Sequence, residues 1–265
     1  MPVLILRLLQ IMMKRNIELT FGYSTLINRF KNISYPDSHE NREVIVIVQN
    51  PKKESFHPVS PDKKIIELPT IGVAKSRNAA LENAQGKYLI FADDDIIFDE
   101  NGIKQLLEYF EAHPECAIIM AHTSDETGEL RKSYQARAQR LTRFNSAKAA
   151  TYEMMVRVDA IRAADVHFDE NFGAGANNYL GDEYIFIADA LKKGLKGMYL
   201  PIRVAIHPKE SSGSAWGSEK DLKARAAVFT RVFGITAPIF RTLFLLKSRK
   251  GKVGFTKALQ FIFAR

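Results

Sequence analysis

Five consecutive β-branched residues, Val44, Ile45, Val46, Ile47 and Val48, stand between charged and polar neighbours. With no polar position alternating among them, both faces of such a strand must be buried, as in a parallel sheet covered by helices. The rest of the chain repeats the theme. Residues 17–21, 88–92, 117–121 and 154–158 read as further apolar strands, and 65–68 as a short one after a proline-rich loop. Helical patterns over 76–83, 102–113, 159–164 and 181–193 fall between them, the second with Ile103, Leu106, Leu107 and Phe110 on one face and the last closed by Gly194. This alternation argues an α/β fold, a mostly parallel sheet with helices on both sides. Gly22-Tyr23-Ser24-Thr25 reads as a turn after the first strand, leading into a helical pattern over 26–30. Residues 197–200 and 203–206 read as two short extended pieces around Pro201.

Ligands of such sheets bind at the carboxyl ends of the strands. There the strand 88–92 delivers Asp93, Asp94 and Asp95, followed at once by Ile96 and Ile97. Aspartate is a poor strand former, and three adjacent carboxylates repel one another. Burying even part of them costs several kcal/mol unless a cation or hydrogen-bond donors compensate. The run therefore reads as a site for a divalent metal and a nucleotide diphosphate, against the plainer reading of a solvated acidic turn.

At 265 residues, 46% hydrophobic and 26% charged, the chain can bury a sizeable core. One cysteine, Cys116, excludes an internal disulfide framework and a cysteine-based zinc site, and suits a reducing, cytoplasmic setting. The net charge of +8 is local: residues 222–265 hold ten basic side chains and no acid, and removing those ten leaves the remainder at −2. Three divisions follow: an apolar extension over 1–13, a main domain over 14–221 and a basic, amphipathic helical tail over 222–265. The extension is too short to span a bilayer and lacks the basic start and cleavage site of a signal peptide. Met12 and Met13 offer an alternative start to Met1.

Several segments together resemble the nucleotide-sugar glycosyltransferases of family 2, with their GT-A fold. They are Gly72 with Ser76-Arg77-Asn78, Gly86-Lys87-Tyr88 running to Asp93-Asp94-Asp95, and Phe168-Asp169-Glu170-Asn171-Phe172-Gly173. Gly181-Asp182-Glu183 ahead of a helix ending at Gly194, and His207 with Ser211-Ser212-Gly213, complete the set. They occur in the family's order between residue 17 and about residue 216.

The resemblance implies an inverting, metal-dependent transfer of a sugar from a nucleoside diphosphate, UDP in the first instance, to a hydroxyl of a glycan or lipid-linked acceptor in surface-polysaccharide assembly. It implies Asp95 as metal ligand, Asp93 as ribose or metal contact with Asp94 nearby, and His207 as a further ligand. Oxygen ligands suit Mg²⁺ or Mn²⁺, and an imidazole favours Mn²⁺. A general base must take the acceptor proton. The family's Glu–Asp order is reversed here, so both Asp182 and Glu183 are candidates, and spacing to Gly194 puts Glu183 on the family's Asp position. An acidic first turn favoured by the helix dipole explains at least one of them. Arg77 and Lys75 are placed to meet the diphosphate, and Asn50 stands where the family often reads the base. Trp216 offers a stacking face for an acceptor sugar. The basic stretch from Arg131 to Arg143 reads as a solvated helix face or a site for a phosphorylated acceptor.

The tail mixes basic residues with Val228, Phe229, Phe240, Leu243, Phe244 and Leu246. That pattern suits peripheral contact with the inner face of a cell membrane, or packing on the chain's own domain. Nucleic acid is not expected as a partner, since no basic face or recognised module lies elsewhere. A sugar-phosphate nucleotidyltransferase is the alternative enzyme, although it would carry a glycine-rich basic loop after the first strand. A degenerate domain that binds nucleotide or glycan without turnover is the alternative outside catalysis, kept open by the reversed acidic pair.

Overall fold

The computed structural model describes residues 16–56, 63–208, 217–247 and 253–264. The apolar start, the Ser211-Ser212-Gly213 loop and Trp216 lie outside the described residues. Nine strands form one sheet: β1 (Leu19–Leu26), β2 (Arg42–Gln49), β3 (Lys64–Leu68), β4 (Tyr88–Asp93), β5 (Ile97–Phe98), β6 (Cys116–Ser124), β7 (Gln139–Arg140), β8 (Met154–Arg157) and β9 (Lys196–Ile206). Their order is β3-β2-β1-β4-β8-β6-β9-β5, with β7 beside β9. Strands β1 to β4 pair in parallel, β6 pairs in parallel with β9, and β8 lies antiparallel between β4 and β6. The helices are α1 (Val73–Asn83), α2 (Glu100–Ala112), α3 (Val158–Ala163), α4 (Asp182–Lys192), α5 (Glu219–Phe233), α6 (Ala237–Lys247) and α7 (Phe255–Ile262).

Strand β4 shows how the sheet is covered on both sides. Tyr88, Ile90 and Ala92 point into a core layer shared with Ile103, Leu106 and Phe110 of α2. Leu89 and Phe91 point the other way, toward Leu81 of α1, Ile161 of α3 and Phe186 and Ile187 of α4. The period-two alternation therefore sorts one strand between two apolar layers, and the continuous apolar run is its consequence.

Three local expectations are corrected. Strand β1 does not end at Gly22 but runs on to Leu26, with Gly22 paired to Ile45 and Phe91. A Cβ at Gly22 would lie 3.0 Å from both Ala80 Cβ and Leu89 Cδ1, so the glycine serves a close approach of α1 rather than a turn. The pieces around Pro201 form one strand, β9. Its register against β6 slips, with Leu200, Pro201 and Ile202 facing Ala121 alone, and this bulge absorbs the missing N–H of the proline. Residues 131–143 are not helical; β7 is their only regular piece.

The tail folds onto the main body. Val228 and Phe233 of α5, with Ala237, pack on Phe172, Tyr184 and Ile185. Ser218 caps α5, accepting from the N–H of Asp221, and Asp221 in turn holds Tyr179 and Arg225. The boundary expected after Asp221 thus falls inside a helix. Arg241 of α6 is buried and donates to the carbonyls of Ala226, Ile262 and Ala264 and to Thr230, tying α5, α6 and α7 together.

Candidate active site

The parallel register sets Ser24 beside Asp93, so β1 and β4 deliver Thr25 and the three aspartates to the same edge. Asp94 is buried; it accepts a hydrogen bond from Thr25 Oγ1 at 2.7 Å and pairs with Arg29, from the 3-10 turn Ile27–Asn32. Arg29 also reaches Asp95 Oδ2 at 3.3 Å. Asp93 lies 3.4 Å from Arg77 Nη2 and keeps about a third of its side chain (35%) in solvent. Burial pushes the carboxyls of Asp93 and Asp94 above their usual range, and the neighbouring aspartates add to the effect. Arg77 and Arg29 offset it only in part. The cluster remains short of positive charge.

Asp95 Oδ1 is buried and has no hydrogen-bond partner among the described residues. It faces His207 Nε2 at 3.8 Å. His207 follows β9, held by its N–H on Ser124 O, and its ring lies on Tyr152 with centroids 4.9 Å apart. His207 Nδ1 contacts Pro208 O at 2.7 Å, and a carbonyl can only accept, so Nδ1 carries a proton and Nε2 is the ring nitrogen turned toward Asp95. Donors about 2.0–2.2 Å from one ion lie roughly 3–4 Å from each other. The orphaned oxygen and the imidazole therefore fit a single divalent cation. Among the described residues no three His, Cys, Asp or Glu side chains form a ready cage. A two-donor seat suits Mg²⁺ or Mn²⁺ completed by phosphate oxygens and water.

The second acidic cluster opens α4. Gly181 precedes it with φ of 90°, and a Cβ there would strike Val228 Cγ2 of α5 at 2.5 Å. Gly173 lies so close to Asp182 that a Cβ would sit 2.7 Å from its Cγ. Asp182 is buried and ion-paired with Arg77 Nη1. One guanidinium, itself buried and resting over the ring of Phe168, thus bridges Asp182 and Asp93. Its neighbour Asn78 clamps the main chain of Phe168, donating to its carbonyl at 3.0 Å and accepting from its N–H at 2.8 Å. Glu183 makes no such ion pair among the described residues. Burial, then the adjacent Asp182 charge, pushes its carboxyl well above the usual glutamate range, and the more distant Arg77 charge offsets this only in part.

Six sequence candidates are thus brought into one arrangement: Asp93, Asp95 and His207 on one side, Asp182 and Glu183 on the other, with Arg77 between. Arg77 is engaged with carboxylates here, and Lys75 makes no ion pair among the described residues. Asn50 is buried with both of its amide N–H donors used: Nδ2 donates to Glu54 O and Glu67 Oε1, and Oδ1 accepts from Glu54 N. It holds the wall of a cavity of about 510 Å³ lined by Lys53, Glu54, Ser55, Phe56, Glu67 and Pro69. Sequence reasoning missed Thr25, Arg29 and Tyr152. For Thr25 the signal was present, since extending β1 past Gly22 carries it level with Asp94.

The pattern of glycosyl transferase family 2 matches residues 24–173, more than half of the chain. An uncharacterized glycosyltransferase of Rickettsia bellii (strain RML369-C) is 32% identical over 105 residues, which are 36% of this chain and 15% of that protein. The chain therefore spans a small part of this curated relative's length. Crystal structures of S. aureus TarS share the fold. TarS 1–349 superposes with a TM-score of 0.58 at 15% identity, covering 93% of this chain and 81% of that one. The same fragment in complex with UDP gives 0.57 at 16% identity, over 93% and 80%. Its complex with UDP-GlcNAc gives 0.54 at 14%, over 93% and 70%. With this sheet, flanked on both faces and presenting acidic residues at its strand ends, the chain has the GT-A fold and belongs to glycosyl transferase family 2.

Proposed function

We propose that the protein is a metal-dependent inverting glycosyltransferase that moves a sugar from a nucleoside diphosphate, UDP, to a hydroxyl of a glycan or lipid-linked acceptor in surface-polysaccharide assembly. The observation that carries this reading is the divided acidic site: Asp182 is tied to Arg77, while Glu183 beside it makes no ion pair among the described residues and has a raised pKa. A general base works best when its pKa lies near the working pH. Glu183, rather than Asp182, is then the base. As the acceptor oxygen bonds to the anomeric carbon, its proton passes to the Glu183 carboxylate, and the bond from that carbon to the diphosphate oxygen breaks.

Asp95 and His207 would hold the metal, which would supply positive charge to the departing diphosphate. Arg77 orders both sides by fixing Asp182 and Asp93. The base of the donor rests in the cavity beside Glu67, with Asn50 shaping its wall rather than reading the base. The TarS complexes with UDP and UDP-GlcNAc support the donor class.

Thermal unfolding with UDP, GDP and Mn²⁺ tests the proposal. UDP with Mn²⁺ should raise Tm by several degrees, GDP by less, and Asp95→Ala should abolish the metal-dependent part. Absence of a shift with any nucleoside diphosphate would sink the donor assignment.

A further inference from the structure

Helix α6 has two faces of opposite use. Arg241, Phe244 and Leu245 turn inward to α5 and α7. Ile235, just before α6, and Ile239, Leu243 and Leu246, recurring at helical spacing, turn outward, with Ile239 61% and Leu246 77% exposed. Helix α7 repeats the arrangement. Phe261 is buried against Leu222 and Ala226, whereas Phe255 (79% exposed), Leu259 and Phe263 face solvent. Seven large apolar side chains in one helical pair exceed the scattered exposure normal for a soluble surface. The stretch from Lys247 to Arg265 also carries six basic residues and no acid.

We infer that the outward face of α6 and α7 docks on the interface of an anionic lipid bilayer, inserting its leucines and phenylalanines while the exposed Lys247 and Lys257 meet the headgroups. Charge complementarity selects this occupant. A second copy of the same face would bring like charges together with no acid in the segment to pair them. The run Glu219–Lys247 contains an 18-residue stretch long and apolar enough to cross a membrane. Its first helix, however, is held against the main body through Val228 and Phe233, and Arg231 is paired with Asp169 and Asp189. A helix pair fastened in this way lies along a surface rather than through it. Because α5 touches Gly181 through Val228, the docked tail is mechanically continuous with the start of α4.

Co-sedimentation of the full chain with vesicles tests this, using phosphatidylcholine alone and phosphatidylcholine with about one phosphatidylglycerol in three. The protein should pellet with the anionic vesicles, remain soluble with the neutral ones, and release as salt is raised. The double variant Leu246→Glu with Phe255→Glu, both exposed, should keep the wild-type melting curve and lose about tenfold or more of its vesicle affinity. Equal binding to neutral vesicles, or a folded double variant that pellets like wild type, overturns the inference. So does a wild-type dimer in solution that the double variant dissolves, since the face would then be an interface between copies.

Discussion

Asp93, Asp94 and Asp95 and the pair Asp182 and Glu183 are acidic clusters of similar make-up that the fold treats differently. At the end of β4, two arginines from separate elements share three carboxylates, and one oxygen of Asp95 faces His207 Nε2. At the start of α4, one arginine takes the first acid and leaves the second with its proton affinity raised. On the proposed function, the first arrangement would take a cation and the second a proton. Local sequence alone, acid beside acid, does not distinguish these tasks; the direction from which the arginines arrive does.

The largest effect should come from removing the proposed proton acceptor. Glu183→Gln is expected to lower transfer by about 100- to 10,000-fold with UDP binding intact, measured by product formation and by nucleotide titration. Full turnover in that variant would break the contrast between the two acids. Next, Asp182→Asn leaves a buried arginine with one partner fewer, which should cost about 3–5 kcal/mol of stability in denaturant unfolding. Its melting point should fall, whereas that of Glu183→Gln should not.

A smaller, pH-linked effect sharpens the comparison. A carboxyl raised in the folded state holds its proton more tightly there than in the unfolded chain. Its stabilising contribution is therefore greatest at low pH and falls as pH rises from the ordinary glutamate value through the raised one. Glu183→Gln should be more stable than wild type near pH 8 and matched to it near about pH 4. The acid limb of the wild-type rate should likewise sit above the ordinary glutamate range. A variant equally or less stable at every pH would show that Glu183 is not the strained member of the pair.

Much of this was legible in the sequence where the signal is local. The β-branched run of β2, the apolar strand ending in three aspartates and the acidic opening of α4 each announce themselves within a dozen residues. The parts that stayed hidden depend on contacts between distant segments. Nothing near Arg29 indicates that it will lie against Asp94, because that contact follows from β1 and β4 pairing in register. Asn50 looks available for a ligand until Glu67 of the adjacent strand takes its amide. Pro201 suggested a break because a missing donor usually ends a strand, but a bulge opposite Ala121 lets β9 continue. The tail's composition pointed to helices; that α5 would pack against the helix bearing Glu183 was not visible, since it rests on Phe172, Tyr184 and Val228 meeting in space.

Arg77 carries a consequence for anyone who would re-engineer this enzyme. With a single guanidinium serving both Asp182 and Asp93, substitutions in the two halves of the site share a partner and will not add as independent free energies. A library that varies donor preference at one end will meet epistasis at the other, and productive changes at these positions are best sought in combination with residue 77.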